Sequence, residues 1–216
     1  MKTFLLFIFC LVLGSVVTTL IFRHSATDIT ATPKKTSQAT SSESNFSLEK
    51  APSTSLHGDI TLLTGDVEWQ SRIATEASQI TQKQQIQQGE SIETGKTGNV
   101  SLAFPNMLFE LSTDTMLNII QTLPTSIVLE QPTGKIKYQT TSSTPLSIRT
   151  SRILIESRKG SFSVAIDEDD GTVTISVEDG LVTTAYNDTD NFSTVEKIEA
   201  DQVLTFDPST RTSSVK

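Results

Sequence analysis

Residues 160–182 read GSFSVAIDEDDGTVTISVEDGLV. Phe162, Val164 and Ile166 alternate with Ser161, Ser163 and Ala165. After a polar break, Val173, Ile175 and Val177 alternate with Thr172, Thr174 and Ser176. Successive side chains of a strand point to opposite faces, so each run presents one apolar and one polar side. The break, Asp167-Glu168-Asp169-Asp170-Gly171, ends in an Asp-Gly pair suited to a tight bend. The stretch therefore predicts two antiparallel strands with one buried face.

The same pattern recurs outward from this hairpin. Val100, Leu102 and Phe104 alternate with polar or small neighbours, and Ile127/Leu129, Ile136/Tyr138 and Ile153/Ile155 are shorter versions. Turn signals separate the runs, among them Pro105-Asn106, Asp179-Gly180 and residues 187–191. Helical periodicity is scarce. Ile80 and Ile86 in the Gln-rich stretch 76–88 stand six apart, and residues 112–115 could cap one short turn at most. An all-β domain follows over residues 58–207, with 208–216 expected as a flexible tail. Glycines expected at strand ends share a Gly-x-(x)-aliphatic opening, as at Gly65, Gly89, Gly134 and Gly180. Such weak self-similarity suits a β-solenoid or roll, with a two-sheet β-sandwich as the alternative.

Composition narrows the function classes. The chain of 216 residues has a formal charge of −8, which argues against a nucleic-acid binder. One cysteine, Cys10, excludes a disulfide framework and a cysteine-based zinc cluster. The two histidines, His24 and His57, lie outside every patterned segment, so histidine-centred catalysis is not expected.

The N-terminal part differs in kind. Phe4 and Phe22 bound an uninterrupted apolar run of 19 residues, preceded by Lys2 and closed by Arg23. As a helix it would span the ~30 Å hydrocarbon core of a bilayer. Its length and basic end favour an uncleaved signal-anchor, residues 1–24, over a cleaved leader. Residues 25–57 contain 14 Ser or Thr and no apolar period, which predicts a disordered tether. The expected arrangement is a single-pass protein of the cell membrane, with its C-terminal domain outside the cytoplasm.

One order of motifs is similar to a known family. Gly65-Asp66-Val67 is followed by Gly89-Glu90-Ser91-Ile92-Glu93-Thr94-Gly95, then by Gly160-Ser161-Phe162-Ser163-Val164, then by Val177-Glu178-Asp179-Gly180-Leu181-Val182. Together these resemble the FecR domain over about residues 58–207. The resemblance implies an extracytoplasmic, solenoid-like β domain behind a transmembrane helix. Sigma-regulating members carry a cytoplasmic sigma-binding segment and a C-terminal signalling module. Three residues precede the apolar run and nine follow Asp207, so neither is expected here.

Candidate sites are few. Asp167, Asp169 and Asp170 form the densest carboxylate cluster and a candidate calcium loop. The spacing fails the EF-hand pattern, because Gly171 already stands at the fifth position, and a solvated turn is the preferred reading. Arg149, Arg152, Arg158 and Lys159 form the one local basic cluster. Alternation would place Arg152 and Arg158 on one face, as a possible partner surface. Trp69, Tyr138 and Tyr186 sit at alternating positions expected to pack. No nucleophile elbow, phosphate loop or metalloprotease helix appears, and no catalytic residue or cofactor is assigned.

The preferred function is a non-catalytic, membrane-anchored binding or scaffold module of the cell envelope, with an envelope protein or glycan as partner. The alternative is an enzyme acting on envelope polysaccharide from a β-helical scaffold. A transmembrane signalling component is the third reading.

Overall fold

The computed structural model describes residues 54–216, and the apolar run, the bulk of the tether and Cys10 lie outside the described residues. Fifteen strands make up one sheet. They are β1 (Gly58–Thr64), β2 (Val67–Gln70), β3 (Ser78–Gln79), β4 (Gln85–Ile86), β5 (Ser91–Thr94), β6 (Asn99–Phe104), β7 (Met107–Leu111), β8 (Thr115–Leu123), β9 (Ser126–Thr140), β10 (Leu146–Arg149), β11 (Ile153–Ile166), β12 (Val173–Asn187), β13 (Ser193–Glu199), β14 (Val203–Asp207) and β15 (Thr212–Val215). Among the described residues there is no helix, so none is long and apolar enough to cross a membrane.

Three strands are far longer than the rest, and they organise the sheet. β9, β11 and β12 each bend near the middle, at Gly134, Gly160 and Gly180, and each half joins a different row of neighbours. The later half of β9 lies between β7 and β11, and its earlier half lies between β8 and β10. The same holds for β12, whose first half pairs with β14 and whose second half pairs with β13. Two leaves result, sharing three strands. One runs β15-β14-β12-β11-β9-β7-β6-β1-β4, and the other runs β13-β12-β11-β10-β9-β8-β5-β2-β3. The solenoid expectation is met only in its all-β character. Stacked parallel coils are not what the ladders form: β9–β10 is the one parallel pairing among the described residues, in an open mixed sheet. A parallel pair needs a crossover, and the second half of β9 supplies it from the other leaf.

Both leaves bury their inner faces in one core, and this requires the long strands to change phase. In β11 the buried positions are Ile153, Ile155 and Ser157, then Gly160, Phe162, Val164 and Ile166. In β12 they are Val173, Ile175 and Val177, then Val182, Thr184 and Tyr186. Each strand passes from odd to even numbers or the reverse at a β-bulge, which inserts one unpaired residue and turns every later side chain to the other face. β9 does the same near Pro132, a residue with no N–H to give to a ladder. In β12 the bulge is at Glu178, held by the Lys137 ammonium at 2.7 Å and by a hydrogen bond from Ser161 Oγ at 2.9 Å.

Aromatic rings line the first leaf. Phe104, Phe109, Tyr138 and Phe162 follow one another across four strands with centroids 5.6, 5.4 and 5.3 Å apart. Such cross-strand pairs add to simple burial. Polar groups tie the leaves together. Buried Gln131, from the second leaf's half of β9, accepts from the Tyr138 hydroxyl at 3.0 Å. Its amide nitrogen donates to the carbonyl oxygens of Gly134 at 2.9 Å and Val164 at 3.1 Å. At the far end Tyr186 of the second leaf packs on Phe206 of the first, with centroids 4.8 Å apart.

Several sequence expectations are corrected. Gly134, Gly160 and Gly180 lie inside strands rather than at their ends. The 76–88 stretch, read as having no helical stripe, is indeed not helical: it forms β3 and β4, and Ile80 and Ile86 both enter the core. Residues 112–115 form a corner, where Thr94 Oγ1 donates to Ser112 O at 2.6 Å and accepts from Thr115 N at 3.0 Å. The supposed tail carries β15, paired with β14. Its turn is closed by Asp207, whose Oδ1 accepts from the backbone N–H of Ser209 at 2.8 Å and of Thr210 at 3.3 Å.

These features generate three expectations. Gly160 has φ +138°, and a Cβ there would run into the Asp179 carbonyl oxygen. Gly160→Ala should cost about 3 kcal/mol in urea unfolding. Gly171→Ala at the exposed turn, where a Cβ meets nothing closer than Pro208 Cγ at 3.5 Å, should cost only about 1 kcal/mol. Gln131→Leu strips two buried groups and the half-buried Gly134 carbonyl of a partner and should cost about 3 kcal/mol, whereas Tyr138→Phe should cost about 1 kcal/mol by the same assay. Burial holds the Tyr138 hydroxyl well above the ordinary tyrosine range. An unfolded tyrosine ionises near pH ~10, so this contribution is intact below that value and is lost as pH rises further. Urea midpoints should fall more steeply above pH ~10 in the native chain than in Tyr138→Phe.

Candidate functional site

The described surface is acidic: residues 58–216 hold 12 basic against 22 acidic side chains. One end departs from this balance. β10 ends at Arg149, a tight turn of residues 150–152 follows, and β11 begins at Ile153. The turn is fixed by Thr150, whose N–H donates to Ile153 O at 3.0 Å and whose Oγ1 accepts from Ile153 N at 3.2 Å. The β12–β13 turn, residues 188–192, lies alongside, with Asn191 at φ 63°. The β14–β15 turn brings a third segment, in which Arg211 takes φ 53°. Its Nη1 donates to Asp188 O at 3.1 Å and to Asn191 Oδ1 at 3.4 Å.

These three turns frame two open depressions that share Ser151, Arg152 and Asn187. The larger, about 370 Å³, has Arg149 and Arg152 beside an apolar floor of Leu154 and Ala185. The smaller, about 320 Å³, adds Asn191 and Arg211. The floor follows from the register: Leu154, Ala185 and Val195 stand opposite one another on β11, β12 and β13, on the outer face. Leu154 is 42% exposed and Val195 62%.

The chemistry of the lining is one-sided. Neither depression is lined by an Asp or Glu. The neighbouring acids, Glu130 and Asp188, each hold one carboxylate oxygen in a hydrogen bond within the protein. Glu130, opposite Arg149 on the parallel ladder, accepts from Asn118 Nδ2 at 2.8 Å, and Asp188 Oδ1 accepts from the N–H groups of Asp190 and Phe192. Arg, Asn, Ser and Thr side chains can bind and orient a ligand, and none of them supplies an acid or base near neutrality.

Arg152 and Arg158, expected on one face, are separated. Arg158 lies at the β11 bulge, 3.8 Å from Glu156, and lines a different depression with Lys159 and Leu181. The residues gathered with Arg152 are Arg149, its neighbour in the sequence cluster, and Arg211. No sequence signal pointed to Arg211, which arrives through the β14–β15 pairing. The Asp167, Asp169 and Asp170 loop is a closed turn. Asp167 Oδ1 accepts from Asp169 N at 2.9 Å, and Asp170 Oδ1 accepts from Thr172 N at 2.7 Å. The Thr172 hydrogen bonds hold the Asp170 carboxyl below its ordinary range. Among the described residues no group of three His, Cys, Asp or Glu is placed to hold a metal. Trp69 packs against the core, and its Nε1 donates to Glu90 Oε2 at 3.1 Å. Tyr138 and Tyr186 are buried. Phe4 and Phe22 lie outside the described residues.

None of the curated proteins matches the chain. Two crystal structures of a protein from Parabacteroides distasonis ATCC 8503, assigned provisionally as an anti-sigma factor, are similar with TM-scores of 0.52 and 0.51 at 15% identity. The similarity covers 58% of this chain and 58% of that one, and it concerns the fold. Residues 90–183 match the family model described as FecR protein, a span running from β5 into β12 and containing all three strand bends. Over residues 90–183 the chain therefore matches the FecR domain family.

Proposed function

We propose that this chain is a membrane-anchored binding module of the cell envelope, with its FecR domain outside the cytoplasm and a part in signalling rather than catalysis. The observation that carries the reading is the FecR match over residues 90–183. Three features support it. The 19-residue apolar run bounded by Phe4 and Phe22 has the length of a bilayer span. The most distinctive depression presents hydrogen-bond donors and an apolar floor, the makeup of a recognition surface. The structural neighbours bear a regulatory assignment, which favours signalling over polysaccharide chemistry.

The test has two arms, both on the full chain. A reporter enzyme active only outside the cytoplasm, fused after Lys216, should be active, and cleavage by added protease should require access to the outer side. Activity of a cytoplasm-restricted reporter instead would overturn the anchored topology. The immobilised chain, exposed to solubilised envelope of the source cells, should retain one protein saturably and return envelope glycan unshortened. Glycan returned in shorter pieces would replace the binding reading with an enzymatic one.

A further inference from the structure

We propose that the two adjoining depressions that share Arg152, one with Arg149 and the other with Arg211, form a binding site for an oxyanion, a phosphate or carboxylate, carried on a ligand with an apolar part. The inference rests on the binding-module reading and names the chemistry that one site would recognise.

The first argument is charge. Like charges gathered on one surface repel, and proteins ordinarily interleave them with acids. In a domain with nearly two acids for each base, these three arginines line two adjoining depressions, neither of them lined by an Asp or Glu. Neither Arg149 nor Arg152 takes part in an ion pair among the described residues. Glu130 stands opposite Arg149 on the neighbouring strand, and an anionic ligand would supply the countercharge that Arg152 lacks.

The second argument is hydrogen-bond polarity. Asn187 Oδ1 is taken by Ser193 Oγ, which donates to it at 2.9 Å. Asn191 Oδ1 is taken by Arg211 Nη1. The acceptor of each amide is thus used within the protein, which leaves the nitrogen of each as a donor. With the guanidinium groups of Arg149 and Arg152, these amide nitrogens give the site a surplus of donors, the complement of an acceptor-only group such as a phosphate or carboxylate.

The third argument is the floor. Leu154 and Ala185 lie beside the arginines rather than beneath them, on the outer face of adjacent strands. A bare ion would leave this surface wet. A ligand whose anion meets the guanidinium groups can lay an apolar portion along Leu154.

The experiment uses the full chain labelled for NMR and three probes: phenyl phosphate, benzoate and phenyl glucoside. The two anions distinguish phosphate from carboxylate recognition, and the neutral glucoside reports apolar contact alone. At least one anion should shift the signals of Arg149, Ser151, Arg152, Asn187 and Arg211 saturably, more tightly than the glucoside, and less tightly as salt is raised. Arg149→Gln and Arg152→Gln should each weaken it about tenfold or more, while Arg158→Gln leaves it unchanged. These side chains are at the surface, so the variants keep the native spectrum elsewhere. Absence of saturable shifts with both anions, or equal affinity in Arg152→Gln, would overturn the site. The Arg149→Gln/Arg152→Gln double variant separates the two proposals. If it still captures the envelope partner while anion binding is absent from the native chain, this site falls and the binding-module reading stands.

Discussion

A strand has a period of two, and that period fixes which residues it can bury. β9, β11 and β12 each serve two leaves around one core, so each must shift phase once along its length. The bulges at Pro132, at residues 158–159 and at Glu178 make that shift, and the bends at Gly134, Gly160 and Gly180 turn the chain from one leaf into the other. Without the bulges, Phe162 and Val164 could reach the core only if Ile153 and Ile155 faced solvent. The aromatic row, the Gln131 network and the crossover to β10 all presuppose these phase changes.

The alternating runs were legible because a half-buried strand writes its two faces directly into the chain. Ile127/Leu129, Ile136/Tyr138 and Ile153/Ile155 were all read in the right phase. That the first two pairs belong to one strand was not legible. A glycine that bends a strand and a glycine that ends one look alike in sequence, and only the neighbouring ladder tells them apart. The threonines of the corner at residues 112–115 misled for a related reason. A hydroxyl able to cap a helix is equally able to stitch a β corner, as Thr94 and Thr115 do. Two of the three arginines of the site were visible as a local cluster, while Arg211 belongs to it only through long-range pairing. Strict alternation also paired Arg152 with Arg158, and it could not register that Arg152 sits in a turn and Arg158 at a bulge.

The open edges show how the sheet limits unwanted pairing. β3 and β4 have two residues each and β15 has four, too short to template a long partner strand. β13 has seven residues and is the exposed edge of its leaf. It carries Lys197 on its outer face, while Glu196 turns inward and accepts from Ser213 Oγ at 2.6 Å. An inward carboxylate on an edge strand penalises continuation of the sheet by a foreign strand. The same end of the molecule thus discourages backbone pairing while its turns present arginine side chains, so recognition there falls to side chains rather than to an added strand.

Sharing three continuous strands has a mechanical consequence. In a sandwich of separate sheets, the two layers are held mainly by side chains and can slide or part. Here a pull on either leaf passes along the covalent backbone of β9, β11 and β12 into the other. Tension arriving at one face of such a domain would be borne across its whole width, and the domain would yield as a single body.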